Sequence, residues 1–286
     1  MAPSARELLE AAAAQGSDLE SVARGVLERL AELTGLSSTY LAETRLIADE
    51  QYIVFSVNRS DQFHIPEAHR KLVIQSRSSV VTYPRPAPIP VSADSLPELR
   101  PRFFEFLAPT RRVPLDRDWA AAMRAPVLSP DGDLVDYLSS LTRYLHGFFT
   151  YRQEVTKIDT PIEDFVRSGV GVCQDYTHAM LAVCRMRGIP SRYVSGYLET
   201  TPGRNLGSDA SHAWVEAYLP GSGWVGFDPT NGTIVGQTYV KVGHGRDYDD
   251  VPPVKGLRRG GGTESLRVAV SVLRAPGAGA TAASSA

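Results

Sequence analysis

The segment that most restricts the fold is residues 211–228. Ser211-His-Ala-Trp-Val-Glu-Ala-Tyr218 alternates, which sends His212, Trp214, Glu216 and Tyr218 to one face of a strand. Gly223-Trp-Val-Gly-Phe-Asp228 repeats the pattern with Trp224, Gly226 and Asp228. Only the short turn Pro220-Gly-Ser-Gly223 joins the two runs, so they form an antiparallel hairpin. His212 opens the first strand and Asp228 closes the second. Both therefore fall at one end of the hairpin, where a His–Asp contact is predicted.

The chain has two cysteines, Cys173 and Cys184. Both lie in a predicted helix that begins near Gly171-Val-Cys173, runs to Arg187 and stops at Gly188-Ile-Pro190. Eleven residues of helix separate them by ~16 Å, too far for a disulfide or a shared metal. Cys184, among Leu181, Ala182, Val183 and Met186, reads as a core thiol. Cys173 falls in the first turn, where unpaired amides and the helix dipole favour a thiolate and can receive an oxyanion. A thiolate nucleophile needs an oriented base, and His212 with Asp228 supplies one. The order Cys, His, Asp is that of a papain-like arrangement. Trp214, Trp224 and Asp175 are the candidate substrate-contacting residues. The alternative is that both tryptophans are buried aromatics and that Asp175, with His178, packs or hydrogen-bonds behind the nucleophile.

Elsewhere the pattern divides the chain into 1–57, 58–129, 130–273 and a disordered tail, 274–286. Residues 5–35 read as helix, broken near Gly16. Strands are predicted at residues 51–57 and 71–75. Eight prolines between Pro84 and Pro114 argue for an extended connector with short helical pieces. Leu134, Leu138, Leu141, Leu145 and Phe148 share one helical stripe capped by Asp131 or Asp133. Thr160-Pro-Ile-Glu163 opens a further helix, strands follow at 192–199, 212–219 and 224–228, and a last one is predicted at 266–273.

Thirty Lys and Arg against 32 Asp and Glu leave a net charge of −2, which gives no reason to expect nucleic acid. Neither a signal peptide nor a membrane span is expected, and two thiols suit a reducing, cytoplasmic setting. His64, His69, His146 and His244 lack ligand spacing, and Asp247, Asp249 and Asp250 lack the pattern of a calcium loop. Gly260-Gly-Gly262 is not a phosphate loop. No metal or cofactor is expected.

Four ordered blocks resemble the bacterial transglutaminase-like superfamily. They are Gly171-Val-Cys-Gln-Asp-Tyr-Thr-His178, Arg187-Gly-Ile-Pro-Ser-Arg-Tyr-Val-Ser-Gly-Tyr-Leu198, Ala210-Ser-His-Ala-Trp-Val-Glu216 and Gly223-Trp-Val-Gly-Phe-Asp-Pro-Thr-Asn231. Gly245-Arg-Asp-Tyr-Asp-Asp-Val-Pro-Pro253 is similar to the segment that follows the core in that family. The resemblance, over 130–272, implies an α+β, papain-like core in which the helix carrying the nucleophile packs on an antiparallel sheet. It implies Cys173 as nucleophile, His212 as base and Asp228 as orienting carboxylate. Residues 58–81 resemble the latter part of the β-rich domain that precedes this core, whose earlier strands are not recognisable here. Residues 22–56 resemble, weakly, the opening of a GAF sensory domain.

The expected activity is acyl transfer from a protein or peptide carboxamide through a thioester on Cys173, with a primary amine as acceptor. Water as acceptor would make the same triad a cysteine protease or amidase. The alternative from another class is a binding module that keeps the fold without catalysis.

Overall fold

The computed structural model describes residues 38–45, 50–54, 59–63, 65, 71–127, 129, 132–153, 155–156, 158–199, 211–256, 260 and 268–272. The predicted helix at 5–35 and the tail at 274–286 lie outside them. The chain forms two units that divide between Pro86 and Ala87.

In the first unit β1 (Ser38–Arg45) pairs antiparallel with β4 (Gln75–Thr82), Ser38 opposite Thr82 and Arg45 opposite Gln75. Between them β2 (Glu50–Val54) pairs with β3 (Arg59–Phe63). Both ladders cross residue 57, where the sequence pattern placed a boundary. The strand predicted at 51–57 lands on β2. The one predicted at 71–75 is displaced: Leu72, Val73 and Ile74 are exposed and irregular, and the strand begins at Gln75. Pairing with β1, rather than the apolar run itself, decides which residues join the ladder.

The second unit begins with the proline-rich stretch, which has the predicted short pieces: α1 (Leu96–Leu99) and α2 (Arg117–Ala122) with two 3-10 turns. Asp116 caps α2 by accepting from the Asp118 amide at 2.7 Å. This stretch is part of the core rather than a linker outside it. Val113, Trp119 and Met123 are buried together with Leu134 and Leu138.

Helix α3 (Leu134–Phe148) starts where Asp133 accepts from the Asp136 amide at 2.9 Å. Leu134, Leu138, Leu141 and Leu145 are buried as predicted. Phe148 is not: it is 41% exposed, and Phe149 takes the inner position once the backbone turns extended after the helix. A short parallel bridge, β5 (Thr150–Tyr151) with β6 (Val170–Gly171), brackets α4 (Ile162–Ser168). Pro161 rather than Thr160 occupies the cap of α4, and Gly169 ends it at φ +69°, a left-handed conformation that glycine adopts without strain.

Helix α5 (Cys173–Met186) then lies across a five-stranded antiparallel sheet in the order β10-β9-β8-β7-β11. Its members are β7 (Ser191–Leu198), β8 (His212–Leu219), β9 (Gly223–Asp228), β10 (Thr233–Ile234) and β11 (Tyr239–Gly245). Ala179, Met180, Leu181, Val183 and Cys184 of α5 pack with Ala213, Val215, Ala217 and Phe227 from the inner face of the sheet. The other face buries Val194, Leu198, Trp214 and Tyr239. Alternation thus splits β8 between two cores, Ala213, Val215 and Ala217 toward the helix and Trp214 away from it. No strand forms at 268–272; the edge beside β7 is taken by β11 instead, which bends through a bulge between Lys241 and Gly243. No described helix is long and apolar enough to cross a membrane.

Candidate active site

The approach to Cys173 is built from the segment before it. The Arg152 amide donates to the Gly171 carbonyl at 3.0 Å, extending the β5–β6 bridge to the doorstep of α5. There the Val172 amide donates to Asp175 Oδ2 at 2.8 Å, and Thr156 Oγ1 donates to the same oxygen at 2.7 Å. Asp175 is buried, which pushes its carboxyl above the usual range, while these two bonds pull the other way. Gly171 has no room for a side chain: a Cβ would come within 2.6 Å of Asp175 Oδ2 and of the Phe165 ring. Cys173 therefore enters the first turn of a 14-residue helix at a fixed angle. Its own N–H and that of Gln174 belong to the first-turn amides without an intrahelical acceptor. The thiol is half-buried, with Sγ 4.0 Å from the Ser211 carbonyl oxygen.

The predicted His–Asp contact is present. Val215 lies opposite Phe227 across the β8–β9 hairpin, so His212 and Asp228 meet beyond the last ladder pair. His212 Nε2 lies 2.8 Å from Asp228 Oδ2, and both side chains are 0% exposed. Asp228 receives four further hydrogen bonds. Thr230 and Asn231 donate their amides to Oδ1 at 2.8 and 3.2 Å. Asn231 Nδ2 and Tyr239 Oη donate to Oδ2 at 2.7 and 2.8 Å. Burial alone would raise the Asp228 pKa, yet the imidazolium and these donors hold it below the usual carboxylate range. Burial likewise works against a charged His212, but the Asp228 charge and hydrogen bond, followed by Cys173, bring it up to about 10. Nε2 is committed to Asp228, and the buried Nδ1 has no oxygen or nitrogen partner. Nδ1 is thus the ring nitrogen left for the Cys173 side chain, whose nearness adds to the upward push on the imidazole.

Cys173, His212 and Asp228 are therefore brought together. The other candidates are not equivalent to them. Asp175 is spent on holding the helix start. Trp214 is 1% exposed and packs under His212 and Tyr239 on the far face of the sheet. Trp224 faces Tyr218 near the turn of the hairpin, the end opposite Asp228, meets Phe103 and Phe106 edge-on and lies against the Arg192 guanidinium. His178 is buried against Tyr193, and burial followed by the charges of Arg112 and Arg185 lowers it to about 3. His146 Nδ1 lies 2.7 Å from the Thr230 carbonyl oxygen, while His244 Nε2 accepts from Arg192. His64 and His69 lie outside the described residues or side chains. Asp247 caps a 3-10 turn, Asp249 pairs with Arg111 and Arg112, and Asp250 with Arg246. Among the described residues no cluster of three or more His, Cys, Asp or Glu side chains could hold a metal ion.

Sequence reasoning missed Asn231 and Tyr239. Asn231 closes the Asp-Pro-Thr-Asn block, where a polar residue three positions after an aspartate is a visible turn signal. Tyr239 carries no such signal, since only the crossing of β11 to the far edge of the sheet delivers its hydroxyl.

A cysteine at the start of a buried helix, facing a histidine and an aspartate at one end of an antiparallel sheet, defines the papain-like α+β class. The family model described as "Transglutaminase-like superfamily" matches residues 119–229, which takes in most of α2 as well as Cys173, His212 and Asp228. An uncharacterized protein of Mycobacterium tuberculosis is 36% identical over 220 residues, 70% of this chain and 69% of that protein. The chain belongs to the transglutaminase-like superfamily. A protein-glutamine gamma-glutamyltransferase of Pseudomonas aeruginosa is 38% identical over 98 residues, 32% of this chain but 14% of that enzyme. The fold is also that of a solved structure described as "a Putative Cysteine Protease from Cytophaga hutchinsonii", with TM-score 0.52 and 20% identity, covering 76% of this chain and 72% of that one.

Proposed function

We propose that the protein is a cysteine-dependent enzyme that transfers an acyl group from a protein or peptide carboxamide to a primary amine. The observation that carries this reading is the fully buried His212–Asp228 pair, whose free ring nitrogen is left for a thiol at a helix N-terminus. His212 takes the Cys173 proton, and Sγ bonds to the carboxamide carbon. The carbonyl oxygen becomes an oxyanion, which the Cys173 amide helps to hold. When the C–N bond breaks, His212 returns the proton to the departing ammonia and a thioester remains. The acceptor amine gives its proton to His212 as it attacks, and the thiolate leaves. Asp228 fixes the imidazole tautomer and stabilises its charged form throughout.

The test is incubation with a glutamine-peptide library and a tagged primary amine, read by mass spectrometry. Tag incorporation that disappears in Cys173→Ala supports transfer. Release of free acid or cleaved peptide without the tag makes water the acceptor and the protein an amidase or protease. Turnover that survives Cys173→Ala overturns both readings.

A further inference from the structure

Three donors crowd one oxygen of Asp228. Oδ2 receives His212 Nε2, Asn231 Nδ2 and Tyr239 Oη, all between 2.7 and 2.8 Å. We propose that Tyr239 is a positioning residue for the reaction: by sharing Oδ2 with His212, its hydroxyl sets how firmly Asp228 holds the imidazole. The inference rests on the cysteine–histidine reading above.

Tyr239 is well placed for this. It stands at the start of β11, opposite Leu198 of β7 at the far edge of the sheet, and its side chain reaches from there to Asp228 at the end of β9. Its ring is buried and meets Trp214 edge-on at 5.4 Å, which leaves the hydroxyl little freedom to turn elsewhere. A carboxylate shared among several donors has less electron density to offer each one. Tyr239 thus weakens the pull of Asp228 on the imidazolium proton and leaves His212 a better acid toward a departing amine. The groups that face the imidazole are Asp228 from β9, Tyr239 from β11 and Cys173 from α5. Removing the hydroxyl leaves Asp228 charged and gives His212 a larger share of it.

Alkylation of Cys173 by iodoacetate tests this without a known substrate. The anionic reagent reacts with a thiolate beside an imidazolium, so the rate rises as the thiolate forms and falls as the imidazolium loses its proton. The full chain is used, labelling is counted on the Cys173 peptide, and folding is checked by thermal melting. In Tyr239→Phe the falling limb should move to higher pH by roughly half to one unit. Asn231→Ala, which removes the Nδ2 donor but keeps the backbone amide, should move it the same way. A falling limb that stays put or moves down in the folded variants overturns the role of Tyr239. A wild-type profile with no falling limb overturns the thiolate–imidazolium reading itself, and this inference with it.

Discussion

Nε2 of His212 lies 2.8 Å from Oδ2 of Asp228 with both side chains shut off from solvent, so the imidazole of this protein has one fixed tautomeric partner. An amide in place of Asp228 can donate to Nε2 and drive the remaining ring proton to Nδ1, where it can no longer receive the Cys173 proton. Asp228→Asn should lower the turnover rate about 10²-fold to 10⁴-fold while the protein stays folded. Single-turnover kinetics beside a melting curve would check both halves of that expectation.

The same pair makes stability depend on pH. The His212 pKa rises from an ordinary 6.5 to about 10 on folding. Its contribution is complete below pH 6.5 and is lost as pH climbs toward 10. Denaturant melts across that window should show a decline in the wild type that is flatter in His212→Asn. An equal slope in both would contradict the assignment.

The two thiols should behave differently toward iodoacetamide. Cys184 is sealed in the core, and burial pushes its pKa up to about 12. Cys173 is half-buried at a helix start. Native protein should take up one label quickly at Cys173 and a second only in denaturant, as peptide mapping would show.

A methyl group at residue 171 has nowhere to go, because Asp175 Oδ2 is held by two hydrogen bonds and Phe165 is core. Gly171→Ala should cost about 1–3 kcal/mol of stability. It should also slow Cys173 alkylation, because the strain is released by tilting the first turn of α5. Denaturant titration and alkylation rates on the same sample would test the pairing of effects.

Glu216 receives Arg192 at 2.6 Å and Lys241 at 2.7 Å in a mostly buried network on the sheet. Burial opposes its charge, but the two cations bring its pKa from 4.5 to about 2. This stabilisation is present above pH 4.5 and lost as pH falls toward 2. Glu216→Gln removes the charge that balances both cations and should cost about 3–5 kcal/mol at pH 7, with the gap to wild type narrowing below pH 4. Urea titrations at pH 7, 4 and 3 would reveal it.

Much of the site could be read in the sequence because its parts obey local rules. His212 and Asp228 meet because a short turn forces an antiparallel hairpin, and Cys173 starts a helix whose apolar side is legible. Asn231 and Tyr239 could not be assigned the same way. Asn231 bonds the buried carboxylate from within its own turn, where the spacing carries a signal but not the role, whereas Tyr239 fills a lone pair that it meets only after the sheet has assembled. The misplacements elsewhere have related causes. Leu72, Val73 and Ile74 look like a strand but have no partner ladder, whereas β11, with two glycines and a histidine, does. Phe148 continues the stripe but is the last residue of its helix, and the extended backbone at Phe149 puts that ring in the core instead. Trp224 shares the alternation of the hairpin with Asp228, but alternation is blind to distance along the strand.

Cys173 and Cys184 stand at opposite ends of one helix, ~16 Å apart, and the second is walled in by the core. Oxidation of Cys173 to a sulfenic acid consequently has no resolving thiol within this sequence to condense with. Recovery must come from an external thiol, and without one the oxidant drives Cys173 on to the irreversible sulfinic and sulfonic acids. The helix that prepares the nucleophile also leaves it without an internal safeguard.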